Sequence, residues 1–415
     1  MVRKLTILFF DAGGGHRSAA EALKSVLESQ PHPWQVHLLN LQDELDRLDL
    51  LRRATGIRIQ DAYNLILRKG WTRLTPQLLP VLQSVIRAYH GPTVNMLRKY
   101  WARNPADIVL SVIPHFNRAL AESVRATMPG VPFVTLLTDL ADYPPHFWME
   151  RESDYLICGT ERAQQQALKL GHDRDHVFLA SGMVMKPRFY EKRAFNRDQE
   201  RKKLALDPNL PTGIVLFGGH GSSTMLDIVK RLDRGKSNLQ LILICGKNQK
   251  LMGKLRSLET ETRFPIFVEG FTQEIDYYMA ISDFFIGKPG PGSISEALQF
   301  HLPVIVECNG RTLPQERYNA QWITENRLGI VLKSFRDIAG GVEKLLDPPT
   351  FEDLRTNAAA YSNRALLEIP GFLDEILERS SSSHVVPSSP VYIKNAFERA
   401  AWASIMSRAE LGSPK

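Results

Sequence analysis

The feature that most constrains this chain is a strand that ends in glycines and restarts as a helix. Ile281 to Ile286 is a short apolar run suited to a buried strand. Gly287-Lys288-Pro289-Gly290-Pro291-Gly292-Ser293 follows, and Ile294-Ser295-Glu296-Ala297-Leu298 reads as a helix start. Such a turn sets the free N–H groups of a first helical turn, and the positive end of the helix dipole, where a phosphate can approach closely. Glu296, one turn inside, is placed to accept hydrogen bonds from the two hydroxyls of a ribose. The simpler reading is a plain strand-to-helix turn with Glu296 complementing the dipole, and one motif does not choose between them. A second glycine cluster, Gly13-Gly14-Gly15-His16, follows the opening apolar run Leu5 to Phe10 in the same manner.

Around these turns the chain alternates strand and helix. In the first half strands are expected over 5–10, 35–39, 108–113, 133–137 and 155–158, with an amphipathic helix through Ala19, Ala22, Leu23, Val26 and Leu27 and another from Arg118 to Arg125. In the second half they are expected over 214–217, 241–244, 266–268, 284–286, 304–306 and 330–332. This alternation predicts an α/β protein with two doubly wound parallel sheets. Ligands of such sheets sit at the carboxyl ends of the strands, where Thr138-Asp139-Leu140 falls. The expected division is a first domain over 1–182 with a basic helical insertion at about 41–104, a linker over 183–200, and a second domain over 201–350. Helices follow over 351–379, broken between Leu367 and Gly371, and a Ser/Pro-rich linker and tail occupy 380–415.

Composition narrows the function. At 415 residues and 43% apolar, the chain has material for two cores. No apolar run approaches the ~18 residues of a membrane-spanning helix, and Met1-Val2-Arg3-Lys4 leads straight into a strand without a signal-peptide core. Cys158, Cys245 and Cys308 show no metal-ligand spacing, so reduced structural thiols and no metal are expected. The net charge of +7 is concentrated. Between Leu51 and Arg103 stand Arg52, Arg53, Arg58, Arg68, Lys69, Arg73, Arg87, Arg98, Lys99 and Arg103 against Asp61 alone, interleaved with Tyr63, Trp71, Tyr89, Tyr100 and Trp101. That mixture suits an anionic membrane surface, with Arg68, Lys69, Trp71, Arg73 and Trp101 as contacts. A solvated helical face and a nucleic-acid surface compete, and nucleic acid is the least favoured partner.

Taken together, Gly13-Gly14-Gly15-His16, Gly218-Gly219-His220-Gly221-Ser222-Ser223, Glu269-Gly270-Phe271, Lys288 to Leu298 and Pro314-Gln315-Glu316-Arg317-Tyr318-Asn319 resemble the monogalactosyldiacylglycerol synthases. These group with the peptidoglycan lipid-intermediate GlcNAc transferase in glycosyltransferase family 28, and the resemblance covers roughly residues 3 to 375. It implies the GT-B architecture, two Rossmann-like domains facing across a cleft with the helices over 351–379 packed back on the first, and a UDP-hexose donor that is a substrate, with no separate cofactor. The departing diphosphate falls to Gly290, Gly292 and Ser293, with Pro291 shaping the turn, and to Gly219, His220, Gly221 and Ser222. Gly270 and Phe271 border the uracil, Glu296 holds the ribose, and Gln315 and Glu316 match the family's hexose-binding pair. His220 departs from the small polar residue expected at its turn.

On the acceptor side, an inverting transfer to the hydroxyl of 1,2-diacylglycerol needs a base. His16 is the first choice, on the loop with Gly14 and Gly15, and Asp139 the second, as base or as the group that orients one. Activity is expected to rise with pH through the ordinary histidine range. The family's Thr-Asp-Leu is followed by a His-Pro pair, but here the run is Thr138-Asp139-Leu140-Ala141-Asp142-Tyr143-Pro144-Pro145-His146. The chain is expected to sit peripherally on the cytoplasmic face of a membrane, a bacterial inner membrane rather than a plastid envelope. A UDP-sugar epimerase of the same fold and a UDP-GlcNAc-dependent transferase acting on a polyprenyl-linked acceptor are the alternatives. A NAD-dependent dehydrogenase is a weaker alternative still, since Gly13-Gly14-Gly15-His16 lacks the G-x-G-x-x-G spacing.

Overall fold

Short apolar runs separated by amphipathic stretches build two parallel sheets. The structure, a computed structural model, describes residues 2–11, 15–45, 89–191 and 193–382. Strands β1 (Arg3–Phe9), β2 (Trp34–Asn40), β3 (Ile108–Ser111), β4 (Phe133–Leu136), β5 (Tyr155–Cys158) and β6 (Val177–Leu179) pair in the order β2-β1-β3-β4-β5-β6. Strands β7 (Thr212–Leu216), β8 (Gln240–Ile244), β9 (Ile266–Glu269), β10 (Phe284–Gly287), β11 (Val304–Glu307) and β12 (Gly329–Leu332) pair in the order β12-β11-β10-β7-β8-β9. All the pairings are parallel. Central strands such as β3 and β8 are buried on both faces, which is why they read as continuous apolar runs.

Strand order creates the crevices. In the first sheet the chain reverses direction of growth between β1 and β3, and in the second between β7 and β10. Leu8 stands opposite Ser111, and Leu216 opposite Gly287, so each neighbouring pair ends level. The loops that follow part to opposite faces and leave an opening at the carboxyl ends of the strands.

Helices cover both faces of each sheet. On the first, α1 (Gly15–Glu28) brings Ala20, Leu23 and Leu27 against Leu5, Ile7 and Leu110. The opposite face takes α3 (His90–Trp101) and α4 (Asn117–Thr127), after the short α2 (Leu41–Leu45). Trp101 corrects the membrane assignment made for it from sequence. It is fully buried, with Leu97, Leu120 and Val124 in its cluster, and its indole N–H donates to Ser123 Oγ at 2.9 Å. Leu97 and Trp101 share one helical face, while Arg98, Lys99 and Arg103 are turned out to solvent. Arg68, Lys69, Trp71 and Arg73 lie outside the described residues. Among the described residues, no helix is long and apolar enough to cross a membrane.

The second sheet is flanked by α7 (Thr224–Arg234), α8 (Gln249–Arg256), α9 (Ile275–Ala280), α10 (Pro291–Gln299), α11 (Pro314–Glu325) and α12 (Ile338–Leu346). In the first domain α5 (Glu161–Leu170) precedes β6, and α6 (Arg197–Lys203) follows the crossing between the sheets. That crossing is packed: Met183, Met185 and Phe189 are buried in a core otherwise built mostly by the second sheet. The chain returns after α13 (Pro348–Ala360), whose Leu354 and Ala358 belong to second-domain cores. Then α14 (Ala365–Ser382) lays Ala365, Leu366, Ile369, Leu373 and Ile376 on the first sheet's core. The helix break falls at 361–364 rather than beside Pro370, because Asn363 Oδ1 accepts from the Ala365 N–H and starts a helix that carries Pro370 inside it. Asn363 Nδ2 also donates to Met183 O at 2.8 Å, and Glu368 Oε2 accepts from Ser181 N at 2.7 Å, clasping the outgoing and returning segments together.

Because α14 is a wall of the first domain despite its place in the sequence, Leu373→Ala is expected to destabilise that domain by about 2–5 kcal/mol. Hydrogen exchange resolved by peptide should show faster exchange in β1 and β3, with β7 and β10 unaffected. Equal change in both sheets would contradict the assignment.

Candidate active site

The crevice of the second sheet is built by two turns. After β7 the chain runs through Gly218, Gly219, His220, Gly221 and Ser222 to α7. Gly218 and Gly221 adopt φ of 75° and 57°, in the left-handed region where glycine is favoured. A Cβ on Gly221 would stand 2.5 Å from Cys245 O, so the turn closes only as glycine. Gly221 N–H is already used, donating to Gly218 O at 3.1 Å, and Ser222 Oγ bonds with Thr224 at the start of α7. His220 and Gly219 are exposed at the tip.

After β10, Lys288, Pro289 and Gly290 lead into α10. Gly290 is its N-cap, Pro291 occupies the first turn, and no side chain caps the helix. The N–H groups of Gly292 and Ser293 therefore begin a helix whose dipole is left uncompensated there. Asn319, fully buried on α11, fixes this turn by donating from Nδ2 to Pro289 O at 2.8 Å. Glu296 is half-buried, and burial pushes its carboxyl up to about 7 despite the nearby Lys186 ammonium. Gln315 is half-buried and Glu316 buried on the first turn of α11. Lys288 Nζ donates to Glu316 Oε1 at 3.1 Å. Phe271 is 56% exposed with Lys247 Nζ 5.3 Å from its ring centroid, and Gly270 N–H donates to Glu269 Oε1.

The other half of the cleft is assembled on the first sheet. His16 lies in the first turn of α1, next to Gly15, while Gly14 is outside the described residues. Its Nδ1 is 3.1 Å from Thr138 Oγ1, its ring rests against Trp148 with centroids 5.7 Å apart, and it hydrogen-bonds the Val112 backbone. Burial pushes its pKa down to about 4, a shift the Val112 bond partly offsets. Asp139 is buried and accepts from Trp148 Nε1 at 2.9 Å. Burial pushes its carboxyl up to about 7; the Trp148 bond and the Lys288 charge pull it down, and Glu316 pushes it up. The group that touches the imidazole is thus Thr138, with Asp139 joined to the cluster through Trp148.

Trp148 is the hub that sequence reasoning missed. Asp142 accepts from the His146 and Trp148 N–H groups at 2.9 and 2.7 Å, and Asn117 Nδ2 donates to Trp148 O at 2.8 Å. His146 itself sits exposed at positive φ, where its side chain does not join the cluster. The Asp142 carboxylate at that spacing, two residues before Pro144, was the available signal for a tightly pinned loop. Tyr143 on the same loop meets Tyr318 of α11, ring centroids 5.7 Å apart, and Leu140 and Ala141 join the second domain's core. The two halves form one cleft.

Two doubly wound domains with their switch points opened on one another make this a GT-B protein. Comparison with known proteins adds the family. The model for monogalactosyldiacylglycerol (MGDG) synthase matches residues 16–183, and that for the glycosyltransferase family 28 C-terminal domain matches residues 214–366. The chain is a glycosyltransferase whose first domain matches the MGDG synthase model and whose second matches the family 28 C-terminal model. Monogalactosyldiacylglycerol synthase from Spinacia oleracea, a chloroplastic protein, is 27% identical over 394 residues, covering 91% of this chain and 73% of its own. Among solved structures, Acinetobacter baumannii MurG superposes with a TM-score of 0.60 at 13% identity over 90% of this chain and 100% of its own. A UDP-GlcNAc 2-epimerase from Neisseria meningitidis superposes with a TM-score of 0.57 at 14% identity, over 91% and 100%. At such identities the two structures speak for the fold.

Asp139 yields a prediction with a definite sign. Its folded pKa, about 7, lies above its ordinary value of 3.8, so the stability it contributes is complete below about 3.8 and is lost as pH rises through 7. Asp139→Asn keeps an acceptor for Trp148 and removes the charge. In denaturant titrations its unfolding free energy is expected to exceed the parent's at pH 8, by at most ~1.4 kcal/mol for every tenfold difference in proton affinity between the folded and unfolded chain, and to match it at pH 4. A variant no more stable at pH 8 would show that burial does not strain this carboxylate.

Proposed function

We propose that this protein transfers galactose from a UDP-sugar to the free hydroxyl of a 1,2-diacylglycerol, inverting the anomeric carbon. One observation carries the reading: the loop that holds Asp139 packs on the second domain, with Leu140 and Ala141 in its core and Tyr143 against Tyr318 of α11, so groups suited to an acceptor and to a donor share one cleft. The name of the spinach relative and the MGDG synthase match over residues 16–183 support diacylglycerol as acceptor and galactose as the sugar. An epimerase has the same fold, but it has no need of a first domain of MGDG synthase type.

In this reading the diphosphate lies across the starts of α7 and α10, Phe271 borders the uracil, Glu296 takes the ribose hydroxyls, and Gln315 and Glu316 hold the hexose. The acceptor hydroxyl approaches His16. With its pKa near 4, His16 is neutral at physiological pH and free to take a proton, and Thr138 and Val112 fix its ring. Once ionised, Asp139 supplies the negative charge that favours the imidazolium. The ascending limb of activity therefore belongs near pH 7 with Asp139, instead of following an ordinary histidine.

Incubation with radiolabelled UDP-galactose and vesicles of diacylglycerol is expected to give a labelled glycolipid. His16→Ala should still bind nucleotide and lose ~10²–10⁴-fold in turnover. Label appearing only as a free epimerised nucleotide-sugar, or only on a polyprenyl-linked acceptor, contradicts the proposal.

Attachment to an anionic membrane surface is assigned to the basic stretch around Arg68, Lys69, Trp71 and Arg73, without Trp101. Reversing Arg68, Lys69 and Arg73 to Glu should abolish the salt-sensitive part of binding to anionic vesicles and leave nucleotide affinity unchanged. Undiminished sedimentation with vesicles would remove this stretch from the membrane surface.

A further inference from the structure

We infer that Lys288 is the counter-charge of the departing diphosphate, held on Glu316 until a donor arrives. The inference rests on the donor reading above and gives a role to a residue that neither the motifs nor the backbone assigned.

Position is the first argument. Lys288 follows the last residue of β10, at the switch point itself. Its Cε is 3.9 Å from where a Cβ on Gly218 would stand and 3.4 Å from the same point on Gly290. The lysine stem thus runs between the two turns that border the crevice, and its ammonium ends on Glu316 Oε1 at 3.1 Å. The Glu316 carboxylate keeps that ammonium protonated, holding its pKa above the usual lysine range.

The second argument is a shortage of donors. Pro291 has no N–H, Gly221 N–H is committed to Gly218 O, and Gly270 N–H to Glu269. Two nearby cations are engaged elsewhere: Arg317 donates to Thr312 O and Gly310 O, and Lys247 lies over the Phe271 ring. The backbone donors remaining at the start of α10 carry partial charges, whereas a leaving diphosphate gains a full negative charge. Lys288 is placed to meet it.

The step balances. The bond from the anomeric carbon to the β-phosphate oxygen breaks and its electron pair stays on that oxygen. The acceptor oxygen bonds to the anomeric carbon, and its proton passes to the base. Lys288 moves from Glu316 to the phosphate oxygen, and Glu316, released, accepts from hexose hydroxyls. One side chain thereby links the grip on the sugar to the departure of its leaving group.

Calorimetric titration of the full chain with uridine, UMP and UDP tests this without any transfer reaction. Lys288→Met is expected to weaken UDP ~10- to 100-fold, as loss of a charge-assisted hydrogen bond should. UMP should change less, and uridine should stay within about threefold, which also shows the site intact. Lys288→Arg, keeping the charge, should recover most of the UDP affinity. A Lys288→Met variant that binds UDP as the parent does, or that loses uridine and UDP alike, overturns the role. A parent that binds none of the three overturns the donor reading, and this inference with it.

Discussion

Tyr143 against Tyr318 is the contact on which the site depends, because it turns two separate crevices into one. Each sheet alone opens a gap where its strand order reverses, and each gap alone would hold only half of a two-substrate reaction. Leu140 and Ala141 are buried in the second domain's core and carry the Asp139 backbone with them. Arg162 braces the contact from the first domain by donating to the Tyr143 hydroxyl at 2.5 Å. The return of α14 onto the first sheet, clasped at Ser181 and Met183, ties the domains a second time.

Within the cleft, burial works against the carboxylates. Asp139 and Glu296 are both pushed up to about 7, one in each domain. The protein alone compensates such groups poorly, the usual cost of an organised polar site. Lys288, paired with Glu316 at 3.1 Å, also pulls the Asp139 carboxyl down. Burial also pushes the Asp142 carboxyl up, but there the Trp148 and His146 N–H groups oppose it. Asp142, Asn117 and Ser111 are satisfied by backbone or by one another, so the loop that delivers the indole to Asp139 is rigid.

Much of this was legible in the sequence because its signals are local. A buried parallel strand is a run of apolar residues and a tight strand-to-helix turn is rich in glycine, so every strand but the three-residue β6 and both turns at the second sheet's crevice could be read directly. Trp101 misled because a tryptophan among arginines resembles an interfacial anchor. Leu97 four residues earlier, on the same helical face, was the sign that the ring points inward. Thr138, Trp148 and the pairing of Lys288 with Glu316 were not legible. They are meetings through space between residues 122, 9 and 28 positions apart, decided by strand order and by the loop from Asp142 to Trp148.

The central claim is that the two domains act through one cleft, with Asp139 and Glu316 in electrostatic contact across it. A double-mutant cycle on turnover tests it most directly, using Asp139→Asn, Glu316→Gln and the two combined. The account predicts strong non-additivity, the double variant losing little more than the worse single one. Losses that simply multiply would mean two independent half-sites, and would contradict it.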